Sequence, residues 1–152
     1  MKILVVSDSQ GSIGSILTAL DREKPNVLIH LGNGIKDLAD VKFEGQIYAS
    51  LGKTDFNPKI PKVGKVSHSG CEILYTYGHD LDVLNNYDKL YDFSLKQGAN
   101  IVLFGCTRHA EIFERDGITF ANPGSVCDPK VGSYLTITFK SGKPIIEHFK
   151  LS

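Results

Sequence analysis

Six short segments of this chain combine glycine with polar side chains, and each one follows an apolar run typical of a β-strand. They are residues 7–11, 31–34, 51–55, 77–80, 105–109 and 122–125. Glycine lets the backbone turn sharply and approach a small bound group closely. In open α/β sheets, ligands bind at the carboxyl ends of the strands. The recurrence therefore predicts one site that several strand ends build together.

The predicted lining of that site is Asp8, Gln10, Asn33, Lys53, Tyr77, His79, Cys106 and Arg108. Asp8 and His79 are the candidates for acid–base chemistry, and together with Cys106 they have the donor types that suit a single zinc ion. Lys53 and Arg108 oppose this, because a fixed positive charge repels a cation about 4 Å away by roughly 4 kcal/mol at an effective dielectric of 20. The two positive side chains therefore argue against a zinc site.

The elements that must position these residues begin with alternating strand and helix signals. Apolar runs at 2–6, 27–31 and 46–49 predict buried strands. Between them, apolar residues recur at helical spacing from Ile13 to Leu20, and a shorter helical stretch covers 35–40. This order predicts a parallel sheet with right-handed crossovers.

The second half of the sequence predicts mainly hairpins. Strand pairs at 62–67 with 72–77, 111–115 with 118–121 and 134–139 with 144–149 flank the turn dipeptides Ser69-Gly70, Asp116-Gly117 and Ser141-Gly142. A helix over 87–97 and a buried strand over 101–104 lie between the first two pairs. The whole is predicted to be a mixed α/β fold.

Length and composition restrict the class of protein. The chain has 152 residues, which we interpret as one compact domain over 1–152. Its 17 basic and 17 acidic residues give no net charge, so no basic stripe for specific nucleic-acid binding is indicated. No apolar run reaches the roughly 18 residues of a membrane span. Three widely spaced cysteines form neither a disulfide framework nor a paired zinc motif, and we expect a cytoplasmic protein.

The order and spacing of the six segments resemble the small calcineurin-like metallophosphoesterases of the bacterial and archaeal phosphodiesterase branch. That family's pattern runs Asp-x-His, Gly-Asp, Gly-Asn-x-Asp, His-Gly-His, Gly-His-Thr-His and Asn-Pro-Gly-Ser, and the likeness covers essentially the whole chain. The resemblance implies a four-layer α/β/β/α sandwich with mixed sheets. It also implies phosphodiester hydrolysis at a centre of two divalent metals such as manganese.

The metal-ligand positions of that pattern depart from the family almost throughout. Gln10, Asn33, Lys53, Tyr77, Cys106 and Arg108 stand where the family has histidine, aspartate, asparagine, histidine, histidine and histidine. Asp8 alone of the seven expected ligands is retained, and His79 matches a histidine that is usually not a ligand. The remaining matches, Asp55, Gly105, Thr107 and the run Asn122 to Ser125, are scaffold positions.

Three functions follow as alternatives. The first is a non-catalytic family member that binds a partner, for which a retromer subunit of the same fold is a precedent by analogy. The second is a metal-dependent phosphodiesterase or phosphatase with an atypical or single-metal site. The third is a sensor in which Lys53 and Arg108 contact a phosphate-bearing ligand. No bound metal or cofactor is expected, and either a small phosphate-bearing molecule or a protein is the expected partner.

Simpler explanations apply to several of these residues. Asp8 is equally suited to cap the helix that follows it or to pair with Lys53 or Arg108. His30 lies inside an apolar run and is expected to be a core histidine with satisfied hydrogen bonds. Cys106 lacks the arginine loop of a cysteine phosphatase. Residues 56–58 are a candidate for an exposed partner surface.

Overall fold

The computed structural model describes residues 1–127 and 130–152, and its strands form two five-stranded sheets. The first sheet contains β1 (Lys2–Val6), β2 (Val27–His30), β3 (Gln46–Ala49), β9 (Ser133–Lys140) and β10 (Lys143–Lys150). The second contains β4 (Val63–His68), β5 (Cys71–Thr76), β6 (Ile101–Leu103), β7 (Ala110–Arg115) and β8 (Ile118–Pro123). The strand orders are β10-β9-β1-β2-β3 and β4-β5-β6-β8-β7.

Each sheet has a parallel centre and antiparallel margins. β1, β2 and β3 are parallel, and so are β5, β6 and β8. The antiparallel pairs include the hairpins β4–β5, β7–β8 and β9–β10. Six parallel strands therefore end at the same side of the molecule, three from each sheet.

The helices cover the outer faces of the sheets. α1 (Ile13–Glu23) packs on the first sheet, and α2 (Asp88–Lys96) packs on the second. Residues Ile35–Asp40 and His79–Leu81 form short 3-10 helices, of which the second was not predicted. The layers run helix, sheet, sheet, helix, so the predicted α/β/β/α sandwich is confirmed.

Successive side chains of a strand point to opposite faces of the sheet and so enter different hydrophobic cores. In β1, Ile3 and Val5 face the second sheet, whereas Leu4 and Val6 face α1. All four are fully buried, which explains why this strand is apolar without interruption. Strands from both sheets contribute to the central core. That residues 1–152 form a single domain stays a prediction.

The three hairpins turn at the predicted dipeptides. Ser69, Asp116 and Ser141 have φ values of 51°, 50° and 53°, and each is followed by a glycine with positive φ. Two successive positive φ values are what a type I′ turn requires, because its twist matches that of the strands. These left-handed residues are explained by the hairpins alone.

Candidate functional site

The six polar loops meet at the carboxyl ends of the parallel strands. Backbone hydrogen bonds link neighbouring loops directly: Asp8 N–H donates to Gly32 O at 2.9 Å, and Gly105 N–H donates to Tyr77 O at 3.1 Å. The N–H of Val126 donates to Ser7 O at 3.0 Å. The loops of both sheets thus form one connected rim around Asp8.

The Asp8 side chain is buried at the centre of this rim. It is 0% exposed, and its two oxygens accept hydrogen bonds from Ser7 Oγ at 2.7 Å and from Tyr77 Oη at 2.8 Å. Arg108 Nε lies 3.8 Å from Asp8 Oδ1. No side chain caps α1, so Asp8 pairs with an arginine rather than capping the helix.

Tyr77 connects Asp8 to Asn33. Burial raises the pKa of the Tyr77 phenol above its usual range, and the neighbouring Asp8 charge raises it further. The phenol therefore stays protonated and serves as a donor. Asn33 Nδ2 donates to Tyr77 Oη at 2.7 Å, while Asn33 Oδ1 accepts from the N–H and hydroxyl of Thr54 at 3.1 and 3.2 Å.

Arg108 and Cys106 lie on the same loop after β6. Arg108 Nη2 donates to Gln10 Oε1 at 3.3 Å, and its side chain is 53% exposed. Burial raises the pKa of the half-buried Cys106 thiol, and Asp8 raises it further against the opposing effect of Lys53 and Arg108. The thiol is therefore held protonated, which disfavours a role as a nucleophile.

Lys53 and His79 stand apart from Asp8. Both are exposed, and within residues 1–127 and 130–152 neither side chain makes a hydrogen bond or an ion pair. Both line a cavity of about 320 Å³ whose wall includes Tyr77. The structure thus brings six of the eight predicted residues together around Asp8, and it places Lys53 and His79 at the neighbouring cavity.

Asp55 holds two loops of the rim together, although the sequence comparison predicted only a scaffold role for it. Its carboxylate accepts backbone N–H groups from Asn33 at 2.7 Å, Gly34 at 2.9 Å, Ile35 at 3.2 Å and Gly52 at 2.8 Å. Four donors from two loops fix the loops to each other. The feature of the sequence that could have indicated this role is an aspartate three residues after Gly52, in a loop at a strand end.

A second polar cluster, which the sequence did not reveal, lies behind the loop after β1. Ser9 Oγ is 2.8 Å from His30 Nε2 and donates to Asp37 Oδ2 at 2.7 Å. Gly11 N–H also donates to Asp37, at 2.8 Å. His30 is fully buried with its hydrogen bonds satisfied, as expected. We call Ser9, His30 and Asp37 the sealed cluster.

The rim carries an unusual number of left-handed residues. Five of its eight predicted side chains belong to residues with positive φ: Asp8 (55°), Gln10 (43°), Asn33 (58°), Cys106 (69°) and Arg108 (63°). Outside hairpins such a conformation costs about 1–3 kcal/mol for a residue with a side chain, and it concentrates at functional sites. No hairpin explains these five, so the loop shapes themselves point to a site.

The donor set does not fit a centre of two divalent metals. Across the part of the chain that the structure describes, no three or more His, Cys, Asp or Glu side chains are placed to hold a metal ion. Asp8 is already engaged by two hydroxyls and an arginine, and the carbonyl oxygen of Asn33 accepts bonds from Thr54. Amide oxygens and cationic side chains are poor substitutes for carboxylate and imidazole ligands.

Comparison with known proteins gives a family and a fold. The model of the calcineurin-like phosphoesterase superfamily domain matches residues 1–142. Vacuolar protein sorting-associated protein 29 of Schizosaccharomyces pombe is 30% identical over 115 residues, which cover 76% of this chain. The alignment spans only 57% of the length of that relative.

Solved structures show the same fold at lower identity. A protein of Streptococcus pneumoniae described as a predicted phosphoesterase superposes with a TM-score of 0.81 at 22% identity, covering 99% of this chain and 89% of that one. A zinc complex of Vps29 from Entamoeba histolytica has a TM-score of 0.76 at 18% identity, covering 100% of both chains. Within the described residues of this chain, no helix has the length and apolar character needed to cross a membrane.

Proposed function

The chain belongs to the calcineurin-like phosphoesterase superfamily, and from that premise we propose that it is a non-catalytic member that acts as a binding module. One observation supports this most strongly. The carboxylate of Asp8, the only retained family ligand, is taken up by Ser7, Tyr77 and Arg108. A metal would have to displace these contacts and tolerate a guanidinium next to its ligand.

The charges of the rim support the same proposal. Arg108 Nε lies 3.8 Å from Asp8, and the Lys53 charge is felt at the Cys106 thiol of the same rim. A single positive charge at about 4 Å opposes a monovalent cation by roughly 4 kcal/mol at an effective dielectric of 20, and a divalent ion by twice that. No second acidic side chain contacts Asp8 to offset this among the residues described.

Metal content and hydrolysis test the proposal. Tag-free protein incubated with manganese or zinc should contain no stoichiometric metal by elemental analysis. It should hydrolyse bis(4-nitrophenyl) phosphate at the background rate with or without manganese. The matched control restores the family ligands with Gln10→His, Asn33→Asp, Lys53→Asn, Tyr77→His, Cys106→His and Arg108→His, and this variant should gain metal.

Two results would overturn the proposal that this chain is non-catalytic. About two metals per chain, with a metal-dependent rate that vanishes in Asp8→Ala, would establish a working phosphodiesterase. About one metal per chain with such a rate would establish the single-metal alternative. The zinc complex of the Entamoeba histolytica protein makes zinc the metal to test first.

The ligand that we propose for the rim is a phosphate-bearing molecule. Lys53 is exposed and unengaged within the described residues, and Arg108 is half-exposed beside Gln10 and Asp8. Guanidinium and ammonium groups both bind phosphate well. Inorganic phosphate should raise the melting temperature, and an unchanged response in the Lys53→Ala/Arg108→Ala double variant would refute phosphate recognition.

A protein partner is a second candidate, because Phe56 is 97% exposed on the loop that Asp55 anchors. Exposed aromatic side chains on firmly held loops are typical anchors of protein interfaces. The name of the Schizosaccharomyces pombe relative is compatible with a sorting role. A photo-crosslinking residue at position 56 should capture one partner in cells, and the same residue at the exposed Lys140, at the opposite end of the sheet, should capture none.

Two broader expectations complete the proposal. We propose that residues 1–152 fold as one domain, since the central core joins β1 and β9 to β5 and β6. A single cooperative unfolding transition would support this. We also propose a cytoplasmic location, because Cys71, Cys106 and Cys127 are all free thiols, as a reducing compartment maintains them.

A further inference from the structure

The cavity beside the rim has two contrasting walls. It measures about 320 Å³ and lies between the end of β5 and α2. Leu51, Val63, Leu81 and Phe93 supply apolar surface, and Lys53 and His79 stand on the side of the rim. A pocket for a small ligand usually combines apolar walls with a few polar groups that fix orientation, and its volume is usually about 300–1,000 Å³.

The apolar wall is incompletely covered by the protein. Val63, Leu81 and Phe93 are half-buried and pack against the core beneath α2. Their remaining surface faces the cavity, and Phe93 presents an aromatic ring there. Aromatic rings of ligands pack favourably on such a surface, and nucleobases stack on aromatic side chains with little dependence on sequence.

The charged groups of the cavity differ in whether they are engaged. Asp80 is paired with Lys62 at 2.7 Å, and this lysine lowers the pKa of Asp80. Asp55 is held by four backbone N–H groups. Both carboxylates are therefore satisfied, whereas the Lys53 ammonium and the His79 ring have no hydrogen-bond partner among the described residues. The groups left for a ligand are the Lys53 ammonium and the His79 ring.

We propose that this cavity binds a small phosphate monoester that carries one planar ring, as a nucleoside 5′-monophosphate does. The phosphate lies at Lys53, where the mouth of the cavity meets the rim, with His79 on its cavity side, and the ring lies against Phe93. The volume is at the small end of the range for ligand pockets, which suits one ring system and one phosphate rather than a dinucleotide. The inference rests on the proposed phosphate recognition and gives it a ligand class.

Calorimetry with three probes tests the inference on the intact chain. AMP should bind at least about tenfold more tightly than inorganic phosphate, which corresponds to roughly 1.4 kcal/mol, and adenosine should bind weakly or not at all. Lys53→Ala should weaken AMP and phosphate alike by about tenfold. Phe93→Leu keeps an apolar side chain and should weaken AMP several-fold while phosphate affinity is unchanged.

A matched control separates binding in the cavity from a general effect of removing a positive charge. Lys143 is exposed at the start of β10, at the end of the sheet opposite the rim, so Lys143→Ala should leave both affinities unchanged. If phosphate binds through Lys53 but AMP binds no more tightly, the ligand class is wrong and phosphate recognition stands. If neither probe binds, both are wrong. If adenosine binds as well as AMP, the cavity is an apolar site and the role of Lys53 and His79 is refuted.

Discussion

Two neighbouring residues of one loop point into two different buried clusters. Asp8 joins Tyr77, Asn33 and Arg108 at the rim, whereas Ser9 joins His30 and Asp37 on the side of the first sheet. Asp8, Ser9 and His30 are each 0% exposed. Burial and satisfied hydrogen bonds therefore do not distinguish a functional cluster from a structural one.

The difference lies in where each cluster ends. The rim cluster ends at Arg108, a charged side chain that is 53% exposed. The sealed cluster ends at Asp37, which is 4% exposed and takes its second hydrogen bond from the Gly11 N–H. A ligand can therefore reach the first cluster but not the second. An exposed charge linked to a buried one marks the candidate site.

The sealed cluster also has a defined proton arrangement. Gly32 N–H donates to His30 Nδ1 at 3.1 Å, so the neutral imidazole carries its proton on Nε2. Nε2 donates to Ser9 Oγ, and Ser9 donates to Asp37. The hydrogen bonds therefore run in one direction, from Gly32 through His30 and Ser9 to Asp37. They hold the loop after β1 against the 3-10 helix at Ile35–Asp40.

The largest effect should come from acidifying the sealed cluster. Burial lowers the pKa of His30 from 6.5 to about 4, against the raising effect of Asp55 and Asp37. The unfolded chain takes up the proton first, so stability is full above pH 6.5 and falls as the pH decreases toward 4. The loss should approach roughly 3 kcal/mol by pH 4, as measured by urea unfolding. A His30→Gln variant that kept the same pH dependence would assign it to other groups.

The next largest effect should come from Asp37→Asn. The amide keeps one acceptor oxygen, but Ser9 and Gly11 lose a charged acceptor in a buried setting. We expect the free energy of unfolding to fall by about 2 kcal/mol. Asp40→Asn is the matched control, because Asp40 is exposed in the same 3-10 helix and its replacement should change little. Equal effects of the two variants would mean that the sealed cluster does not stabilise the loop.

A smaller effect is expected at the rim from Asp8→Asn. Ser7 and Tyr77 would then bond to a neutral group, so the free energy of unfolding should fall by about 1 kcal/mol. Phosphate affinity should stay the same or increase, since a negative charge is removed. A loss of phosphate binding would show that Asp8 supports the anion site directly.

Much of this arrangement could be predicted from the sequence, because apolar runs and parallel topology together determine where strand ends meet. The turn dipeptides predicted the three hairpins for another reason: both of their residues can adopt the positive φ that a type I′ turn requires. The partner of Asp8 was not predictable: Lys53 and Arg108 both follow strands of the rim, and only Arg108 pairs with it. Arg108 also has a left-handed backbone with φ of 63°, a conformation that an arginine in the sequence does not indicate.

The sealed cluster was missed for a related reason. His30 is recognisable as a core histidine from its apolar neighbours, but Ser9 and Asp37 lie 21 and 7 residues away from it along the chain. The contacts of Ser9 with His30 and Asp37 depend on the directions in which the side chains point at the ends of β1 and β2. Polar residues at the ends of two adjacent parallel strands were the available signal, since such ends lie at one edge of a sheet.

The smallest effect on stability, and the sharpest contrast between the clusters, should come from Arg108→Ala. Arg108 is half-exposed and its Nε lies 3.8 Å from the buried Asp8 carboxylate, which keeps its hydrogen bonds from Ser7 and Tyr77 when the arginine is removed. The free energy of unfolding should therefore change by less than about 0.5 kcal/mol. Phosphate binding should nevertheless weaken, because the rim loses one of its two cations.

Arg22→Ala is the matched control: Arg22 donates to the carbonyl oxygens of Lys150 and Leu151, far from the rim, and its loss should leave phosphate affinity unchanged. Thermal unfolding with and without phosphate measures both quantities. A large loss of stability without a loss of phosphate affinity would reverse the comparison and make the rim cluster a structural one.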